Sequence, residues 1–187
     1  MITILDYGIG NLRSVLHKVN KIDKAIISNK IEDIEKADKI IIPGVGHFKK
    51  GMENIEKYKP YLKDKTILGI CLGMQLLTKH SEEGNVKGLG FIDAKTRKFQ
   101  NVKIPHVGWN SIKIQKESPL LNGFKNNHYF YFTHSYYVDY KDSIATTDYG
   151  KEVTSIIKKD NYYGVQFHPE KSHKVGMNII KNFIEKC

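Results

Sequence analysis

The sequence predicts an α/β fold: one domain over residues 1–187, built on a mixed, mostly parallel sheet flanked by helices. Three observations lead there. Short, continuously apolar runs in the first third alternate with segments of helical spacing, the pattern of parallel strands covered on both faces. Glycine- or proline-rich turns follow several of those runs and halt them. After about residue 86 the texture changes to longer, aromatic-rich segments that read as further strands, many of them antiparallel.

In chain order, ITIL (2–5) is the first strand, followed by the turn-rich DYGIGN. Leu12, Val15, Leu16 and Val19 then fall at helical spacing. AIIS (25–28) reads as a strand, IEDIEKA (31–37) as a short helix, and KIIIP (39–43) as a strand stopped by Pro43 and Gly44. Residues from about 47 to 62 read as a helix despite Gly51, and TILGI (66–70) as the next strand. Beyond residue 86, GFIDAKTRKF, HVGWNSIKI, NHYFYFTHSYYV and YGVQF are expected strands. SHKVGMNIIKNFIEKC closes the chain as a helix with Val175, Ile179, Ile180 and Phe183 inward.

Composition narrows the function. A chain of 187 residues buries a core without covalent staples, and two cysteines, one of them the terminal Cys187, argue against a disulfide framework and for a reducing cytosol. MITILDYGIGN has no basic leader and its apolar run breaks at Asp6, so no secretory signal is expected. No segment reaches the roughly 18–20 apolar residues of a membrane span, and the expected location is cytoplasmic. The net charge of +10 invites a nucleic-acid reading, but only Arg13 and Arg97 of the 30 basic residues are arginine, and no basic run of five occurs. A solvated lysine-rich surface accounts for the charge. His128 and His134 share a strand face, yet no cysteine or aspartate completes a metal set. The aromatics of YFYFTHSYY read as core strand rather than a stacking platform for bases.

Three strand ends carry chemistry, where open α/β sheets form their sites. Gly69-Ile70-Cys71-Leu72-Gly73 has the spacing of a nucleophile elbow with sulfur in place of the hydroxyl, so Cys71 would cap a helix N-terminus. A buried structural cysteine is the competing reading. In FHPE, His168 and Glu170 lie two apart and on an extended segment point to one side, as a base and its orienting group do; a surface turn at Pro169 is the alternative. PGVGHF (43–48) exposes backbone N–H groups of the kind that hold an oxyanion, or makes a phosphate-binding or merely structural turn.

Together, PGVG, CLGMQ and HPE in this order resemble class I glutamine amidotransferases with a Cys-His-Glu triad. DYGIGNLRSV, PGVGHF, GICLGMQLL, SEEG, GLGF, PHVGWN, THSYYV and QFHPEKS resemble, over nearly the whole chain, the branch formed by the glutaminase subunits of imidazole glycerol phosphate synthases. Anthranilate synthase glutaminases, by contrast, usually carry proline where this chain has Val45. The resemblance implies a flavodoxin-like glutaminase that hydrolyses L-glutamine to glutamate and passes ammonia to a (β/α)8-barrel cyclase partner, as a heterodimer, for histidine synthesis. It implies no metal and no organic cofactor. Carried over by position, Cys71 is the nucleophile, His168 the base that protonates departing ammonia, and Glu170 its orienter. The amides of Val45, Gly46 and Leu72 form the oxyanion hole; Gly44, Gln75, Ser135 and Tyr136 bind substrate; Asn11, Trp109 and Lys171 face the cyclase.

One departure stands out. After HPEKS come His173 and Lys174, where the histidine-pathway branch implies a less basic pair. HPEKSH resembles paralogous glutaminases that serve a paralogous barrel in amidinating surface sugars, with the same glutaminase chemistry and a different acceptor. A non-catalytic docking subunit is the third reading, and the intact triad argues against it.

Overall fold

A computed structural model describes all residues, Met1–Cys187. The first part of the chain runs β1 (Ile2–Leu5), α1 (Leu12–Val19), β2 (Ala25–Ser28), α2 (Ile31–Lys36), β3 (Lys39–Ile42), α3 (Phe48–Ile55), α4 (Lys59–Leu62), β4 (Thr66–Ile70) and α5 (Leu72–Leu76). It continues through β5 (Thr78–Ser81), β6 (Val86–Lys87), β7 (Ile92–Lys98), β8 (His106–Ser111), β9 (Lys113–Ile114), β10 (Tyr129–His134) and β11 (Tyr136–Asp139). The last elements are β12 (Ala145–Asp148), β13 (Glu152–Lys159), β14 (Tyr162–Val165) and α6 (His173–Lys186).

The main sheet has the order β2-β1-β3-β4-β14-β13-β12-β9, parallel from β2 to β14 and antiparallel beyond. Period-2 alternation splits its residues between two cores. Ile41, Leu68 and Ile70 pack with Val15 and Val19 of α1 and Ile179, Ile180 and Phe183 of α6. Ile40, Ile42 and Ile67 pack instead with Phe48, Met52 and Ile55 of α3. A strand buried on both faces must be apolar at every position, which is why KIII and TILGI show no alternation. In α6 the expected Ile179, Ile180 and Phe183 are fully buried, while Val175 only flanks the core.

The structure departs from the single mixed sheet in three ways. Two smaller sheets stand apart: a four-stranded one, β11-β7-β5-β6, and a two-stranded ribbon, β10-β8. NHYFYFTHSYYV is not one strand, because the chain changes sheets at Ser135, whose carbonyl accepts the Phe99 N–H at 3.2 Å. HVGWNSIKI breaks at Ile112, which turns into the core and bonds the His128 carbonyl, so β8 joins the ribbon and β9 the edge of the main sheet. The helix expected over 47–62 is also interrupted, by a 3-10 turn at Glu56–Tyr58. Pro60 supplies no N–H for an interior helical bond and sits instead in the first turn of α4.

Strand order sets the site. β4 lies between β3 and β14, so the turn after β3, Cys71 after β4 and His168 beyond β14 reach the same carboxyl edge together. The Cys71 N–H extends the ladder to the Val165 carbonyl at 2.8 Å.

Candidate active site

The elbow at Cys71 is held by contact, not by flexibility alone. Cys71 has φ 54° and ψ −107°, a left-handed conformation that strains a residue bearing a side chain. A Cβ on Gly73 would lie 1.8 Å from the Ile42 carbonyl oxygen, and one on Gly69 would lie 2.6 Å from the Gly73 carbonyl carbon and the Met74 nitrogen. Any larger residue at either position would push α5 off β3 and β4. The thiol is almost covered: it faces the Thr133 carbonyl at 3.8 Å and accepts from Gln166 Nε2 at 3.7 Å.

His168 Nδ1 meets Glu170 Oε1 at 2.8 Å, with side chains 1% and 3% exposed. The competing surface turn is therefore excluded, though the two do not meet on an extended segment: Glu170 lies in a 3-10 turn, Pro169–Lys171, that folds it back onto the imidazole. A carboxylate only accepts, so the Nδ1 proton is fixed and Nε2 is left free. Nε2 and Glu170 Oε2 are the two buried side-chain polar atoms without a hydrogen-bond partner in the chain. Burial, the largest single influence, pulls the His168 pKa down; the Cys71 sulfur and Glu170 carboxylate together outweigh it and raise it to about 9. Below that pH the ring stores a proton beside the sulfur. The His168 backbone is clamped as well, its N–H on the Tyr131 carbonyl at 2.9 Å and its carbonyl accepting from Ser172 Oγ at 2.7 Å.

A cavity of about 440 Å³ opens over the sulfur. Val45, Gly46, Leu72, Gln75, Ser135, Tyr136 and Lys171 line it with Cys71. Gly44 does not: a Cβ there would lie 2.6 Å from Tyr7 Oη and 2.8 Å from Leu72 Cβ, so its place is a close backbone approach beneath the turn. The N–H groups of Val45 and Gly46 make no backbone hydrogen bond. Gln75 Nε2 donates to the Tyr136 carbonyl at 3.0 Å and to Gln166 Oε1 at 3.1 Å, which leaves only its oxygen to face the cavity. A larger hollow, about 710 Å³ beside Pro119 and Lys186, is lined by neither cysteine nor histidine.

Three site residues escaped the sequence reading. Gln166, fully buried beside the sulfur, looks from its sequence like the end of a strand. Thr133 joins the site through its carbonyl, which no side-chain pattern reveals. Glu83 reaches the cavity from the loop after β5 while its Oε2 accepts the Phe48 N–H at 2.7 Å; the SEEG segment was its signal. His134, on the same face as His128, meets His106 at 3.0 Å, while His128 packs edge-on against Phe124.

The model of the class-I glutamine amidotransferases matches residues 3–187. The chain is 51% identical to imidazole glycerol phosphate synthase subunit HisH 2 of Methanococcus maripaludis, covering 100% of both chains. It is 50% identical to the HisH subunit of Methanocaldococcus jannaschii, covering 99% of each. The chain belongs to the class-I glutamine amidotransferase family, in its HisH branch. The fold agrees: a putative GMP synthase subunit from Thermoplasma acidophilum superposes with TM-score 0.77 over 98% of this chain and 91% of that one, at 20% identity. A second glutamine amidotransferase structure gives 0.77 over 98% and 97%, at 15% identity.

Of the residues expected at the amidotransferase's partner face, Lys171 lines the cavity. Trp109 is 45% exposed on β8, stacks on His173 at 5.1 Å and meets Tyr131 edge-on at 6.1 Å. Lys171 Nζ sits over the Tyr131 ring at 5.7 Å. Asn11 is exposed and caps α1, accepting the Ser14 N–H at 3.4 Å. No helix is long and apolar enough to cross a membrane.

Proposed function

We propose that residues 1–187 form one glutaminase unit, the subunit of imidazole glycerol phosphate synthase that hydrolyses glutamine and hands ammonia to a (β/α)8-barrel cyclase in the cytoplasm. The observation that carries this is Cys71, strained at an elbow over a cavity, beside the buried His168–Glu170 pair whose Nε2 has no partner. The Cys71 sulfur attacks the carboxamide carbon of glutamine, and the amides of Val45, Gly46 and Leu72 receive the oxyanion. The C–N bond breaks as His168 gives its Nε2 proton to the departing ammonia, leaving a γ-glutamyl thioester. Water then adds with His168 as base, the C–S bond breaks, and glutamate leaves. Gln75 Oε1, Glu83 and the Ser135-Tyr136 backbone hold the amino-acid end of the substrate. These steps call on no metal and no organic cofactor.

The outer face of the β8–β10 ribbon supports a docked partner. Val107 and Trp109 point outward from alternate positions of β8 and remain 55% and 45% exposed, opposite Thr133 and Tyr131. An apolar, aromatic patch beside a cavity mouth is the expected surface for a subunit that must not lose ammonia to water. His173 stacks on Trp109 in this patch, so the departure from the histidine-pathway pattern falls where partners are chosen. That placement keeps the paralogous barrel for sugar amidination as the second reading.

Complementation separates them. Expressed with its cognate barrel in a histidine auxotroph lacking its own glutaminase subunit, the chain restores growth on minimal medium without added ammonium. Growth only with excess ammonium or added histidine would favour the sugar acceptor.

A further inference from the structure

Two buried histidines, His106 and His134, take no part in the chemistry above. They lie directly opposite each other in the β8–β10 register, His106 3% and His134 6% exposed. Their contacts form a chain whose direction is forced. The Tyr136 carbonyl only accepts, so His134 Nδ1, 2.7 Å away, must carry its hydrogen. In the neutral ring Nε2 of His134 is then an acceptor, and His106 Nδ1, 3.0 Å from it, must donate. That leaves His106 Nε2 to accept, and Asn110 Nδ2 stands 3.3 Å away. Asn110 Nδ2 also donates to the Asp148 carbonyl at 2.9 Å, which anchors the chain to β12.

The far end of this chain is the substrate wall. The same Tyr136 carbonyl accepts from Gln75 Nε2, which also holds Gln166 Oε1, and Gln166 Nε2 donates to the Cys71 sulfur. One carbonyl thus ties the histidines to the two glutamines beside the nucleophile. Both rings are kept neutral: burial lowers the His106 pKa to about 4, and burial, outweighing the bond to Tyr136, lowers that of His134 to about 3.

We propose that His106 and His134 are positioning residues for the glutamine site: their one-way hydrogen-bond chain fixes the Tyr136 carbonyl, and through it Gln75 and the 134–136 wall, to the β8–β10 ribbon. The proposal rests on the glutaminase reading for its substrate, but the tautomers it requires do not.

Two measurements test it. In the complex with the cognate barrel, H106F leaves His134 Nε2 an unpaired buried acceptor, and the glutamine KM rises about tenfold with kcat within about threefold. H106N restores a donor at the Nδ1 position and brings KM back to within about threefold of the parent. A KM unchanged in H106F, or equal losses in both variants, would overturn the proposal. If H106F does not fold, nitrogen-15 NMR of the unaltered chain decides: both rings are neutral Nδ1–H tautomers at pH 7, and an Nε2–H tautomer on either overturns it. If the unaltered complex hydrolyses no glutamine, the proposed function has failed, and the tautomers still judge the inference.

Discussion

Replacing Cys71 with alanine lowers glutamine-dependent turnover on the order of 10⁶-fold, because no other group at the carboxyl edge can form the thioester. Cys187, the second thiol, lies at the end of the chain against Tyr163, so Cys187→Ser keeps near-parental activity. His168→Ala is nearly as damaging as loss of the sulfur, since triad members act as a unit. Glu170→Gln costs about one to two orders of magnitude less than either, because the carboxylate orients the ring and does not itself carry the proton. Steady-state glutaminase assays of the four variants with the barrel present check this order. The Cys71→Ala complex should still form product from ammonium salts if, as proposed, the acceptor site lies in the barrel. Residual glutamine turnover in Cys71→Ala would remove the sulfur from its role, and a Glu170→Gln loss as large as that of Cys71→Ala would require a proton-transferring Glu170.

Glutamine hydrolysis should rise roughly 10²–10³-fold only when the barrel and its nucleotide ligand are both bound, the worth of one oxyanion donor. The turn after β3 has the parts for such a switch. Val45 carries a backbone N–H that a proline would lack, and the residue is 42% exposed. Neither its N–H nor that of Gly46 is tied to another backbone group, Gly46 has φ +107°, and a Cβ there would meet nothing within 4 Å. Rotating the peptide that carries the Val45 N–H therefore breaks no backbone hydrogen bond, and the flanking glycines widen the dihedrals open to the turn. Cavity and proposed docking patch adjoin, with Lys171 lining the first and lying over Tyr131 of the second, so a partner seated on the patch would touch the cavity rim. The turnover number for glutamine is measured with the chain alone, with the barrel, and with barrel plus nucleotide. Equal values in all three would rule out the switch.

The parallel half of the fold was legible because buried strands and their stops are local signals: KIIIP and TILGI declare themselves by composition alone. So was the placing of Cys71, His168 and Glu170 at one carboxyl edge, since GICLG and FHPE sit where strands end. What failed were decisions made by distant partners. Ser135 looks like mid-strand until Phe99 claims its carbonyl, and Ile112 looks like strand until the core takes it. Spacing placed Glu170 beside His168 for the wrong geometric reason, a turn doing what an extended segment was expected to do. Gln166 and the Thr133 carbonyl were invisible for a related cause: their roles arise from the β4–β14 register and the return of β10, not from neighbours in sequence.

The most direct test follows the nitrogen. The purified complex of this chain with its barrel is given glutamine labelled with nitrogen-15 in the side-chain amide, the nucleotide acceptor of the histidine pathway, and excess unlabelled ammonium near neutral pH. Mass spectrometry of the imidazole product should show nearly complete label, and none when the chain carries Cys71→Ala. Unlabelled product from the intact complex would contradict delivery of ammonia from the Cys71 site to the cyclase.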